Sequence, residues 1–328
     1  MSARAAGAAL IAFAVVLAVA APVLAPSDGQ EASSGFLNAP PTPIHVRDRD
    51  GWHAPFIYRL VLDNQLEQRY DQDRNIRIPI VWLHDGRLAR SAAEQQTPLL
   101  LLGADSYGRD VFSRLLYGAR ISLALSIGAA LGALLLGALI GGAAGYSGGI
   151  VDDALMRASD FVIVLPATYV ALVLRSALPL VLPTPTIFML LTGIFAVLGA
   201  PIVARGVRAI VRTERQLDYA TAAVSLGCTH TRMLLRHLLP ASRGFLAVQL
   251  TLLVPAFVIA EATLSYVGFG FPEQTASWGT MLHEAANITT FSRFPWLLSP
   301  GIAIFLLTLG VNLWLAERSD HADYTRYN

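Results

Sequence analysis

The chain contains no lysine; all 24 of its basic residues are arginine. This excludes one large class at once. The phosphate-binding loop G-x-x-x-x-G-K-[ST] needs a lysine to reach the phosphates, so the chain cannot hydrolyse ATP by that chemistry. Cysteine is nearly absent as well. The single Cys228 rules out an internal disulfide and any cysteine metal cluster. No H-E-x-x-H occurs, so zinc-protease chemistry lacks its ligands, and no metal site is expected. Charge of either sign is scarce, at 14% of 328 residues against 54% hydrophobic. Several uncharged runs reach about 20 residues, enough to cross a bilayer core. A large soluble core does not produce such runs.

The expected architecture is an all-α polytopic membrane protein of six transmembrane helices, with a helical cytoplasmic loop and a small extracytoplasmic subdomain of partly extended structure. Residues 1–25 form the first span, through the uncharged run Ala5 to Ala25. That run also fits a signal peptide, since Ala-Val-Ala at 18–20 resembles a cleavage site. Residues 26–118 are a different material, with ten arginines, twelve acidic residues and prolines at 40, 41, 43, 55, 79 and 98. Short β-like pieces such as Arg77 to Leu83 mark them as an extracytoplasmic insertion. The core permeation domain is expected over 119–316. Its spans are placed at Ile121–Tyr146, about Ala154–Leu178 with a kink at Pro166, about Thr186–Ala204, about Gly244–Val267 and about Leu297–Leu315. A cytoplasmic tail fills 317–328. Glycines 128, 132, 137, 141 and 145 in the second span are read as general tight packing.

Residues 205–243 carry seven arginines against Glu214 and Asp218. A short loop so rich in arginine resists translocation and belongs in the cytoplasm. With six spans, both termini lie inside too. Arg109, Arg114 and Arg120 flank the second span on the opposite side and argue against this, offset in part by Asp105 and Asp110. The 205–243 stretch reads as helix, bend at Gly227, helix, stop at Pro240. Its apolar face suggests a docking surface for a partner groove. Nucleic acid is not expected, because topology accounts for the arginines and no aromatics interleave.

Two further features carry candidate chemistry. Gly145-Tyr-Ser-Gly-Gly149 matches the nucleophile elbow G-x-S-x-G, which needs a strand before it and a helix after it. An intramembrane serine hydrolase on Ser147 would also need a base, and no histidine is placed within a span. Glu261 lies within the fifth span, where a carboxylate faces a cavity or a partner. It belongs either to a transport path or to a structural hydrogen bond, with Arg175 as candidate partner. A scaffold or receptor using its outer subdomain is a third reading.

The pattern Thr221-Ala222-Ala223, three residues, Gly227, nine residues, His237-Leu238-Leu239-Pro240 resembles the EAA loop of binding-protein-dependent ABC importer permeases. Thr221 replaces the family's glutamate and His237 its isoleucine. Arg236 to Pro240 is similar to the Arg-His-x-Leu-Pro of the peptide-transporting branch. Residues 103–120, 145–160, 261–270, 277–279 and 300–301 resemble further segments of the C-type permeases of oligopeptide and dipeptide importers. Nickel importers share much of the pattern, so nickel or another small solute is the alternative cargo. The resemblance implies a multi-pass protein of the bacterial cytoplasmic membrane, not itself an enzyme. It implies a homologous second permease, two ATP-binding subunits that hold ATP and Mg²⁺, and an extracytoplasmic solute-binding protein. No cofactor is expected on this chain. Thr221, Ala222, Ala223, Gly227, Arg232, His237, Leu239 and Pro240 are the expected coupling residues.

Overall fold

The computed structural model describes residues 2–324, apart from 34, 49–50, 95, 178, 180–181 and 287–292; the side chains of 167, 175 and 316–324 also lie outside the description. Two compact units are present, Met1–Leu123 with Ser265–Asn328, and Ala124–Leu264.

The first unit opens with α1 (Ala3–Leu24), an Ala/Val/Leu-rich helix whose Ser2 side chain accepts from the Ala5 N–H. It packs closely on the terminal helix Ser299–Tyr324. A Cβ built on Gly7 would sit 2.5 Å from the Gly310 carbonyl oxygen, so only glycine permits this approach. The insertion is a four-stranded antiparallel sheet in sequential order: β1 (His45–Asp48), β2 (Gly51–Asn64), β3 (Arg69–His84) and β4 (Arg87–Ser91). Its long central strands extend well beyond the short piece at 77–83. Asp85 and Gly86 both take positive φ between the paired residues His84 and Arg87, as a two-residue hairpin requires. Ile57, Ile78, Ile80 and Leu99 form one small core here, and Phe36, Leu60 and Leu100 anchor another.

Helix α2 (Val111–Ser147) is 37 residues long and begins ten residues before the expected second span. Asp110 caps it, accepting from the N–H groups of Phe112 at 3.1 Å and Ser113 at 3.2 Å. Burial pushes the Asp110 carboxyl up to about 6, against those hydrogen bonds. The arginines that conflicted with the topology are not exposed cations. Arg109 and Arg114 are buried, and their Nε atoms lie 2.6 and 3.4 Å from Asp105 Oδ2. Arg109 also reaches Glu284 at 3.4 Å, and both guanidinium groups donate to the Glu273 carbonyl. Burial and the nearby Asp105 carboxylate raise the Glu284 carboxyl above its ordinary value. Of the three, Arg120 alone is exposed.

The second unit holds the rest of α2, then α3 (Gly149–Val164), α4 (Ala167–Ser176), α5 (Thr184–Glu214), α6 (Asp218–Ser225) and most of α7 (His230–Tyr266). The glycine row of α2 faces α5. Cβ atoms added at Gly132, Gly137 and Gly141 would lie 2.8 Å from Ala196 Cβ, 2.5 Å from Val203 Cβ and 2.3 Å from the Ala204 carbonyl oxygen. Phe195 and Phe257 stack at 5.5 Å.

Three expectations need correction. The third span is not one kinked helix. The chain breaks at Leu165 and Pro166, and α3 and α4 meet at 90°. Pro166 offers no N–H to continue the ladder. Helix α5 does not end at Ala204 but runs to Glu214, so Arg205, Arg208 and Arg212 are helical rather than part of a loop. Pro240 does not stop its helix either. A wide π turn at Met233–Leu238 and a tight 3₁₀ turn at Leu239–Ser242 carry the chain past the missing N–H, and α7 continues to Tyr266. Among the described residues, five helices are long and apolar enough to cross a membrane, or six if α3 and α4 form one broken span.

Candidate coupling site

Residues 215–242 leave α5, fold into α6, turn at Gly227 and re-enter as the start of α7. Helix α6 ends in a complete Schellman closure. The Gly227 N–H donates to the Val224 carbonyl at 2.9 Å, and the Cys228 N–H donates to the Ala223 carbonyl at 3.0 Å. Gly227 takes φ +85°, a conformation that side chains with a Cβ resist, and nothing lies within 4 Å of where a Cβ would point. The expected bend is therefore present, and its outer side is open.

The helix pair is half seated. Ala220, Met233, Leu238 and Ser242 are buried. Leu239 rests on α2, where a Cβ on Gly142 would lie 3.1 Å from Leu239 Cδ2 and 3.5 Å from Leu234 Cδ1. The other side is bare. Leu217, Tyr219, Val224 and Leu235 are exposed, and Leu226 is 89% exposed. Thr221, Ala222 and Arg232 are exposed with them, while Ala223, His237, Leu239 and Pro240 are half-buried. The Thr221 hydroxyl turns back to the Leu217 carbonyl at 3.5 Å. Tyr219 donates to Glu214 at 2.7 Å; desolvation and that carboxylate push its hydroxyl up to about 12.

Several residues that fix this segment carry no signal in the linear pattern. The Tyr146 hydroxyl, near the end of α2, hydrogen-bonds His230 Nδ1 at the start of α7. Arg215 donates to the Tyr146 carbonyl and lies 5.0 Å over the Tyr146 ring. Arg208 grips Asp152 through two nitrogens, Nη2 being 2.6 Å from Oδ2, and Arg205 Nε reaches Asp160 at 3.1 Å. These bonds tie the end of α5 to α3 and the bend to the end of α2.

Residues 133–316, more than half the chain, match the family of binding-protein-dependent transport system inner membrane components. The chain belongs to that family. It is a multi-pass permease of the inner membrane. Among its relatives, the oligopeptide transport system permease protein OppC of Bacillus subtilis is 36% identical over 212 residues, 64% of this chain and 67% of that protein. The probable peptide ABC transporter permease protein y4tQ of Sinorhizobium fredii is 37% identical over 220 residues, 67% of this chain and 73% of its own. A putative peptide permease protein of Brucella ovis is 35% identical over 211 residues, 64% and 68% of the two chains.

The remaining candidates lie outside residues 215–242. Ser147 closes a helix, and Gly148 and Gly149 turn directly into α3. The strand that a nucleophile elbow requires is absent at 145–149. Glu261 is fully buried in the second half of α7. Arg175 belongs to α4, and its side chain lies outside the described residues, as does the proposed pairing with Glu261.

Proposed function

We propose that this permease is one half of an ATP-driven importer of peptides, and that residues 215–242 receive the stroke of an ATP-binding subunit. The observation that carries the reading is the bare apolar face of the bend, from Leu217 through Val224 and Leu226 to Leu235. An apolar patch on a short helix set among arginines is a surface that a grooved partner covers. The chain lacks a lysine with which to build a phosphate loop, so ATP and Mg²⁺ belong to two partner subunits. This chain carries no cofactor. A homologous second permease completes the path, and an extracytoplasmic solute-binding protein delivers the cargo. The relatives, named as oligopeptide and peptide permeases, support peptides as that cargo.

The bend and both termini lie in the cytoplasm in this reading, and the sheet lies outside. The seven arginines of residues 205–243 support it, because the larger arginine cluster stays inside. Closure of the ATP-binding subunits pushes α6 and the start of α7. The Tyr146–His230 contact passes the push to α2, and the Arg208–Asp152 grip passes it between α5 and α3. The path then opens outward to accept a peptide.

Reconstitution of the permease with its genomic neighbours tests this. ATP-dependent accumulation of a labelled oligopeptide in proteoliposomes, absent without the ATP-binding subunits, is the expected result. Accumulation of nickel but not peptide would overturn the cargo. Accumulation without any ATP-binding subunit would overturn the mechanism.

A further inference from the structure

Two irregularities of strand pairing coincide in the sheet of the insertion. Between β1 and β2 the register slips between His45 and Arg47. Between β2 and β3, Tyr58 faces Arg77 while Arg59 faces Asp73, so residues 74–76 bulge from the ladder. Bulges bend a strand and re-aim its side chains. Here they open a cavity of about 590 Å³ lined by His45, Arg47, Asp48, Tyr58, Arg74 and Arg77, with Asn75 beside them.

The lining is strongly cationic. Three guanidinium groups face one carboxylate, and that carboxylate is already engaged, with Asp48 Oδ2 lying 2.7 Å from Arg77 Nε. Arg47 lies 5.9 Å over the Trp52 ring. Among the described residues, no carboxylate pairs with Arg47 or Arg74, and both are exposed. A separate observation concerns His45. Its Nε2 is buried and has no hydrogen-bond partner among the described residues, while its ring is held 4.9 Å from Tyr58 and 5.8 Å from Phe56. Solvent does not reach that nitrogen, so what the cavity offers a ligand is its guanidinium groups. Planar guanidinium forks suit carboxylates through paired N–H···O bonds. The volume falls in the range of small-ligand sites.

We propose that this cavity is a carboxylate-binding site that takes the C-terminal carboxylate of a short peptide before transport. The choice of ligand rests on the peptide-permease reading; the chemistry of the cavity does not. Arg47 and Arg74 form the fork, and Asp48 holds Arg77 in place.

The test is equilibrium binding to the permease complex in nanodiscs, without ATP. The probes are labelled trialanine, its C-terminal amide and inorganic phosphate. Trialanine is expected to bind saturably and the amide at least tenfold more weakly. Arg47→Gln and Arg74→Gln are each expected to weaken trialanine binding about tenfold without changing the melting temperature, and Arg74→Lys to restore part of it. Equal binding of acid and amide, or unaltered binding by both glutamine variants, would overturn the site. Competition by phosphate as strong as that of trialanine would overturn the carboxylate assignment. ATP-driven peptide uptake measured on the same samples separates the two ideas. Uptake that persists while acid and amide bind alike removes this inference alone.

Discussion

The Tyr146 hydroxyl is bonded to His230 Nδ1, joining the end of a 37-residue apolar helix to the first residue of α7. Arg215 stacks over the same tyrosine from the other side of the bend. A single aromatic ring therefore holds both ends of the segment that carries the bare apolar face. Tyr146→Phe keeps the ring and the stacking but removes the hydrogen bond, which contributes about 1 kcal/mol. Peptide uptake per ATP hydrolysed is expected to fall several-fold, with the melting temperature nearly unchanged. Unchanged stoichiometry in paired uptake and ATPase assays would remove Tyr146 from the coupling route.

The Arg208–Asp152 grip is a stability element as well as a link. Hydrogen bonds between charged groups contribute about 1.5–3 kcal/mol, and Asp152 is buried while Arg208 is partly exposed. Asp152→Asn is expected to cost about 1–2 kcal/mol after allowance for solvent at the arginine. Thermal unfolding of the purified complex would register the loss. The swap Asp152→Arg with Arg208→Asp is expected to recover part of it.

Gly141 and Gly193 differ in a way that packing explains. A Cβ at Gly141 would lie 2.3 Å from the Ala204 carbonyl oxygen, whereas Gly193 has nothing within 4 Å. Overpacking a tight contact costs about 1–3 kcal/mol. Gly141→Ala is expected to lower the melting temperature clearly, and Gly193→Ala to leave it level or raise it. The same unfolding trace for both would contradict the close approach of α2 and α5.

Asp110 gives a pH dependence with a definite sign. Its native value of about 6 lies above the ordinary value of 3.8. Between those two values the native state holds a proton that the unfolded chain has released. The stabilising contribution is complete below the unfolded value and is lost as pH rises towards 6. Its size is at most about 3 kcal/mol. Asp110→Asn is expected to flatten the stability profile between about pH 4 and pH 6, read by unfolding at a series of pH values.

Much of this was legible in the residues, and the failures have local causes. Gly227 announced its bend because it interrupts an alanine- and leucine-rich helical pattern, and its φ of +85° is the reason. Pro240 misled because a proline forbids one hydrogen bond, whereas a chain can widen and then tighten its turns to pass it. Arg205 and Arg208 read as loop charges because their partners, Asp160 and Asp152, lie on another helix. Arg109 and Arg114 read as a topological conflict only partly offset by the nearby Asp105, because Glu284 and the Glu273 carbonyl, which complete their burial, lie more than 150 residues away. The Tyr146–His230 bond joins residues 84 positions apart, and no spacing rule links them. The sheet reads only as the β-like piece Arg77 to Leu83; the Asp85-Gly86 pair that follows it, a hairpin signal, goes unused.

The docking of the bend is the claim on which the functional account stands, and Leu226 tests it most directly. Cys228 is the single cysteine, so a Cys228→Ser background leaves the chain free of thiols. Leu226→Cys then places one thiol at the most exposed point of the bare face. Its rate of modification by a maleimide is measured in inverted membrane vesicles, with and without the ATP-binding subunits. Protection of at least tenfold on their addition, altered by ATP, is the expected result. Equal labelling in both samples would contradict the account.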